Sequence, residues 1–227
     1  MPKTTCNGSD CFLCQHCMTE WRPLIALNKE TRVIGKGKTI FKEGDPVEGI
    51  YFMYQGWVKI HKEWMHPKEL ILRFAGAGDI VGHRGLGDKR NYPVSASALE
   101  DCIVCFVPED FLEVSLKANP ALTYRLMQFY AAELQKAERR MRDLVHMETK
   151  GRIAGALLEM NGKFGTNRDG FISMPVSRQD IASYAGTTYE TLFKLFNEMK
   201  KDKIISTSGK FIKIKNEIKL QQLLKMK

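Results

Sequence analysis

The chain has 227 residues, 44% of them hydrophobic and 27% charged, which is enough apolar material for one large or two ordinary domains. No uncharged apolar run approaches the eighteen or so residues of a membrane span, and the N-terminus lacks the basic-then-apolar order of a secretory signal, so a folded, soluble, cytoplasmic protein with no membrane partner is expected. The net charge of +9 is unevenly placed: residues 147–227 hold 15 Lys and Arg against 8 Asp and Glu, seven of the nine net charges. Such a basic third suits a polyphosphate backbone, and on charge alone it suits a merely soluble surface equally well.

Six cysteines fall in two groups, Cys6, Cys11, Cys14 and Cys17 near the start and Cys102 with Cys105 further on. In a cytosolic chain such grouping argues for metal, cluster or redox chemistry rather than structural disulfides. Four soft thiolates on a short loop are what the iron of an iron–sulfur cluster requires, and zinc accepts the same set. Unligated thiols are the third reading.

Ten of the 18 glycines lie between Gly35 and Gly87, where they punctuate short segments rich in Ile, Val, Phe and Tyr: Thr39 to Phe41, Ile50 to Tyr54, Trp57 to His61 and Leu70 to Phe74. Leu99 to Val107 continues the pattern, and Pro108, Glu109 and Asp110 open a helix. An antiparallel β-domain of short strands is expected over residues 21–120, behind a Cys-rich segment at 1–20. A metalloenzyme built on this domain is not expected. Of its histidines, His61, His66 and His83, none forms a His-x-His pair on one strand face, as a facial metal triad needs. A haem held by His83 or another histidine is not selected by any pattern.

A dimerisation helix is expected over 121–146. Met127, Tyr130, Leu134, Ala137, Met141 and Leu144 recur at alternating steps of three and four, a heptad-type seam, while Glu133, Lys136, Glu138, Arg139, Arg140, Arg142 and Asp143 fill the remaining surface. A helix packed on its own β-domain is the alternative, and a two-chain seam is the better account.

Residues 147–227 carry the pattern of a winged helix-turn-helix. Ser177 precedes Asp180 at the spacing of an acidic capping box, and a short helix runs from Arg178 to Ala185. Gly186 permits a sharp turn, and Thr187 or Thr188 caps a second helix whose Leu192, Leu195, Phe196 and Met199 face inward. Arg178, Gln179, Thr188, Tyr189, Glu190, Phe193, Lys194 and Asn197 are then the candidates for reading double-stranded DNA. Ile204 to Ser206 and Phe211 to Ile214 flank Ser208, Gly209 and Lys210, so a hairpin wing is expected, with Lys210, Lys213 and Lys215 toward the DNA backbone.

These parts, in this order, resemble the Crp/Fnr regulators from about Gly35 to Ile214. The resemblance is carried by Gly35-Lys-Gly-x-Thr-Ile-Phe-x-x-Gly-Asp45, by Gly56 before a strand, by the dimer helix, and by Ser177-Arg-Gln-Asp-Ile-Ala with Gly186-Thr-Thr-Tyr-Glu-Thr191. It implies an α+β chain: an N-terminal β-roll of the cyclic-nucleotide-binding jelly-roll type, a long dimerisation helix and a C-terminal winged helix-turn-helix. It also implies a homodimeric DNA-binding transcription regulator, not an enzyme, with RNA polymerase as a further partner. At the second and third reading positions this chain has Phe193 and Lys194 after Glu190, where the family has Ser or Gly and then Arg, so the half-site read should differ from the family's usual ones.

The resemblance is closest to the Fnr-type sensors of oxygen. It implies a [4Fe–4S] cluster held by Cys11, Cys14, Cys17 and Cys105, with Cys6 as alternative ligand and Cys102 spare; the gap before Cys17 is shorter than the family's. Cyclic AMP is not expected as effector. His83 stands where that branch has the ribose-binding glutamate, and the phosphate-binding arginine is missing near Tyr92-Pro-Val-Ser95. A small molecule, haem or a thiol redox switch in place of a cluster, or a β-roll serving as a plain metal-binding module, are the alternatives.

Overall fold

A computed structural model describes residues 11–64, 69–174 and 176–224. The chain divides into two compact units, one reaching to Glu133 and the other beginning at Leu134.

The first unit opens with two short helices, α1 (Phe12–His16) and α2 (Arg22–Asn28), followed by eight strands: β1 (Glu30–Ile34), β2 (Thr39–Phe41), β3 (Gly49–Gln55), β4 (Val58–Glu63), β5 (Glu69–Ala75), β6 (Ile80–Val81), β7 (Ser95–Ala98) and β8 (Cys102–Pro108). Helices α3 (Glu109–Ala118) and α4 (Pro120–His146) follow, and the unit ends within α4. The strands form two antiparallel sheets, ordered β1-β8-β3-β6 and β2-β7-β4-β5. This is a β-roll, and the whole chain is of the α+β class.

Alternation along two central strands decides what each sheet face does. On β3, Tyr51 and Met53 point into the core between the sheets, whereas Ile50 and Phe52 point to a second apolar cluster. On β8, Cys102, Val104 and Phe106 join the first core and Cys105 and Val107 the second. That second cluster is completed by Leu13 of α1, Ile25 of α2, Leu112 of α3, and Leu122 and Leu126 of α4.

Sequence reasoning left Cys11 to Cys17 as a loop; the structure has helix there. Leu13 and Cys14 are buried, and Phe12 stacks on Phe52 with ring centroids 6.5 Å apart. Such a short helix is unstable alone, so this packing is what forms it. It is anchored further by Met18 N donating to Asn119 Oδ1 at 3.0 Å and Trp21 Nε1 to Ser115 Oγ at 3.0 Å.

The second unit begins with the end of α4 and continues with α5 (Thr149–Phe164), α6 (Arg178–Ala185), α7 (Tyr189–Lys201), the hairpin β9 (Ile205–Ser208) and β10 (Phe211–Ile214), and α8 (Glu217–Gln222). Its core contains Ile153, Leu157, Met160, Ile181, Leu192, Met199 and Leu220, all fully or nearly fully buried. The hairpin turns on Gly209 and Lys210 alone, because Ser208 pairs with Phe211; glycine stands first, with φ +54°. Ile172 N donates to Ile212 O at 2.8 Å, which ties the α5–α6 connection to the wing.

Candidate DNA interface and thiol cluster

In the second unit, α6 and α7 are closed by matching caps. Ser177 Oγ accepts from Asp180 N at 3.0 Å and donates to Asp180 Oδ2 at 2.6 Å, while Thr188 Oγ1 accepts from Thr191 N at 3.2 Å. Gly186 ends α6 in the left-handed region at φ +63°. Leu192, Phe196 and Met199 are turned inward, so α7 offers Tyr189, Glu190, Phe193, Lys194 and Asn197 to solvent. Tyr189 and Phe193 stack on each other with centroids 6.4 Å apart and planes 17° apart, forming an exposed aromatic step at the helix start. The Glu190 carboxyl is held below its ordinary range by its own backbone N–H and the Thr188 side chain. It therefore meets a ligand as a carboxylate at the positive end of the helix.

Gln179, Thr188 and Lys210 are exposed beside this helix. Two basic residues behave otherwise than the sequence suggests. Arg178 is half-buried: its guanidinium lies 4.9 Å from the Phe196 ring centroid and donates to the carbonyls of Gly209 at 3.4 Å and Lys210 at 3.5 Å, so it braces the wing turn against α7. Lys213, expected to face a phosphate backbone, instead donates Nζ to Asp169 O at 2.6 Å and lies 5.9 Å from the Phe171 ring. Between α7 and the wing lies a cavity of about 240 Å³ whose lining includes Arg178, Tyr189, Phe193, Asn197, Lys200 and Thr207.

Helix α4 has two apolar faces. One buries Leu122, Leu126 and, among polar residues, Glu133. The other leaves Met127, Leu134 and Met141 at 58%, 60% and 59% exposure, one heptad apart, with Tyr124 and Val145 alongside. Of the predicted seam, Ala137 is half-buried and Leu144 is 38% exposed. Tyr130 departs from it, because its hydroxyl donates to His83 O at 2.5 Å and its ring packs on the β-roll.

In the first unit, all five described cysteines are buried, and none of the five forms a disulfide. Cys11, Cys14, Cys17 and Cys105 share the second apolar cluster, Cys105 from β8 and the others from α1 and its ends. The Cys11 side chain hydrogen-bonds to those of Cys105 and Cys14. The Cys105 contact, with burial, pushes the Cys11 thiol up to about 11, and burial raises Cys17 as well. Cys102 lies on the opposite face of β8, with Sγ 3.3 Å from Trp57 O and 3.2 Å from Glu100 O. Cys6 lies outside the described residues. Among the described residues no three His, Cys, Asp or Glu side chains are disposed to hold a metal ion as they stand.

Elsewhere in the β-roll, the stretch around Gly82 and Tyr92 lines a cavity of only about 10 Å³, with Val81, His83, Arg84 and Val94 among its walls. That is room for about one water. Beside it, Glu133 of α4 pairs with Arg73 of β5 at 2.9 Å and reaches Arg84 at 3.8 Å. Arg73 also donates to Ile80 O. Burial, then the charges of Arg73 and Arg84, push buried His83 down to about 3. Sequence reasoning missed this ion pair. Its only trace was one glutamate four residues C-terminal to Phe129 on an otherwise solvated face.

Comparison with known proteins agrees with both units. Residues 31–119 match the cyclic nucleotide-binding domain, and residues 151–223 match the Crp-like helix-turn-helix domain. The anaerobic regulatory protein of Bacillus subtilis is 31% identical over 186 residues, 80% of this chain and 78% of that protein. The fumarate and nitrate reduction regulatory protein of Vibrio cholerae is 29% identical over 225 residues, 94% of this chain and 88% of that one. The structure of FixK2 from Bradyrhizobium japonicum is similar with a TM-score of 0.76 at 28% identity, covering 86% of this chain and 96% of its own. Taken with the β-roll and the capped helix pair beside its wing, these likenesses establish that the chain belongs to the Crp/Fnr family of DNA-binding transcription regulators, which are not enzymes.

Proposed function

We propose that this regulator works as a homodimer whose DNA binding is governed by an oxygen- or redox-sensitive iron–sulfur cluster held by Cys11, Cys14, Cys17 and Cys105. The observation that carries the reading is that those four cysteines belong to one buried apolar cluster, with Cys11 in side-chain contact with both Cys105 and Cys14. The names of the relatives, an anaerobic regulator and fumarate and nitrate reduction regulators, point the same way.

The donor set fits the group in its chemistry, because the four soft sulfurs belong to one buried apolar cluster. When bound, such a cluster supplies an oxygen-labile centre. The chain's own part is mechanical: thiolates on α1 and on β8 would fasten the N-terminal helices to the same cluster of side chains that receives Leu122 and Leu126 of α4. Without a cation the Cys11 and Cys17 thiols, both raised, favour their protonated form, so loading releases protons and strengthens with rising pH.

The open stripe of Met127, Leu134 and Met141 supports pairing of two α4 helices. Two reading helices linked in one dimer bind paired half-sites far more tightly than either alone. With Lys213 engaged by Asp169 O, the exposed Lys194, Lys200 and Lys210 are the lysines offered to phosphate or base in this reading. The reading also places the protein in the cytoplasm with RNA polymerase as a partner; no helix among the described residues is long and apolar enough to cross a membrane. A cyclic nucleotide is a poor effector for a cavity of about 10 Å³.

Purification without oxygen tests the cluster. Iron, acid-labile sulfide and a brown chromophore are expected in the wild type and in Cys102→Ser, and are expected to be lost in Cys105→Ser. A colourless, iron-free wild type would overturn the cluster. The contact between Cys11 and Cys105 favours one second reading, a dithiol switch in which the two thiols give up two protons and two electrons to an oxidant. An iron-free protein with an oxidant-dependent Cys11–Cys105 disulfide would establish that reading instead.

A further inference from the structure

A helix C-terminus leaves its last carbonyls without partners, and a cation there is favoured by the helix dipole. At the end of α6 two arginines meet this need from different places. Arg152 of α5 donates Nε to Ala185 O at 3.0 Å and Nη2 to Gly186 O at 3.2 Å. Its other contacts, Met147 O at 2.6 Å and Thr149 Oγ1 at 3.2 Å, keep it within residues 147–186. Arg140 comes from α4. It donates Nη2 to Tyr184 O at 2.7 Å, and its guanidinium lies 4.2 Å over the Tyr184 ring. One turn along the same face, Leu144 closes over the turn itself, since a Cβ on Gly186 would lie 2.5 Å from Leu144 Cδ2. Residues four apart on a helix are neighbours on one side of it, so α4 grips the helix-turn-helix at two points rather than one. One point is a hinge, whereas two oppose rotation.

We propose that Arg140 and Leu144 are positioning residues that fix the angle between α4 and the reading helix α7, and so set the separation of half-sites that the paired protein accepts. This rests on the reading of the chain as a dimer joined through α4. The plain alternative is that Arg140 only caps a helix. Arg152 supplies the contrast, because these hydrogen-bond partners all lie in residues 147–186, beyond the end of α4 at His146.

The test uses the full-length protein, at concentrations where each variant is dimeric, and an operator that the wild type selects from random-sequence duplexes. Affinity is measured for that operator, for versions with the central spacer shortened or lengthened by one base pair, and for a single half-site. Arg140→Gln is expected to bind the selected operator about tenfold more weakly, the scale of one lost charge-assisted hydrogen bond. It should meanwhile approach equal affinity for the three spacers and keep wild-type affinity for the single half-site. Leu144→Ala, which removes the second point without touching a charge, should flatten the spacer profile likewise. Arg152→Gln should lower the Tm and weaken all duplexes alike, leaving the spacer preference in place. A spacer profile unchanged in both Arg140→Gln and Leu144→Ala would overturn the proposal while leaving the DNA-binding reading intact. A wild type that selects no duplex at all would overturn that reading, and the proposal with it.

Discussion

Two cysteines three residues apart on one strand met opposite fates, and the cause is the two-residue period of a strand. Cys105 faces α1, whereas Cys102 faces the core between the sheets with its thiol pushed up to about 11 by burial. The resemblance alone had singled out Cys105, and the pleat supplies the physical reason. The Arg73–Glu133 pair had no comparable signal, because nothing local marks a glutamate that will be buried by a strand sixty residues earlier in the chain. His83, depressed to about 3 beside that pair, makes stability depend on pH. Its folded value lies below its unfolded one, so the unfolded chain takes up the proton first. The stability it contributes is complete above about 6.5 and is lost as pH falls toward 3. Between pH 7 and 5, above the carboxylate range, urea midpoints of the wild type should fall more steeply than those of His83→Gln. Parallel slopes would show that His83 is not the group responsible.

Among the elements, the long helix, the capped helix pair and the hairpin were legible because each carries its own period and punctuation. Arg178 to Ala185 and Phe211 to Ile214 lie where the pattern places them. Strand β7 was not legible. Ser95-Ala-Ser-Ala98 contains no β-branched or aromatic residue, yet it sits between β2 and β4 with Ala96 and Ala98 buried in a core crowded by Phe41, Tyr51 and Tyr92. Small side chains are needed there by packing, which overrides strand propensity. The α6–α7 turn depends on Gly186 twice, through its φ of +63° and through the approach of Leu144. Gly186→Ala should therefore destabilise the second unit by about 1–3 kcal/mol, read from its thermal or urea unfolding. A loss within a few tenths of a kcal/mol would mean that the turn relaxes without strain.

At the scale of the whole molecule, α4 was read as a seam, and the structure adds that the same helix serves its own β-roll through Leu122, Leu126, Tyr130 and Glu133. No periodicity separates those two duties, since both are apolar stripes and only the partner distinguishes them. If the open stripe is where a second copy docks, a carboxylate placed on it must be desolvated in the pair, at a cost of several kcal/mol. Leu134→Glu, at a residue 60% exposed in the single chain, should leave the fold intact while weakening self-association about a hundredfold or more, as sedimentation would measure. An unchanged association constant would move the contact to another face. The nearly filled hollow around Gly82 and Tyr92 has a consequence of another kind. Where the interior has closed over, no vestibule is left there for a bulky messenger, so compounds built to imitate cyclic nucleotides should neither trigger this protein nor silence it.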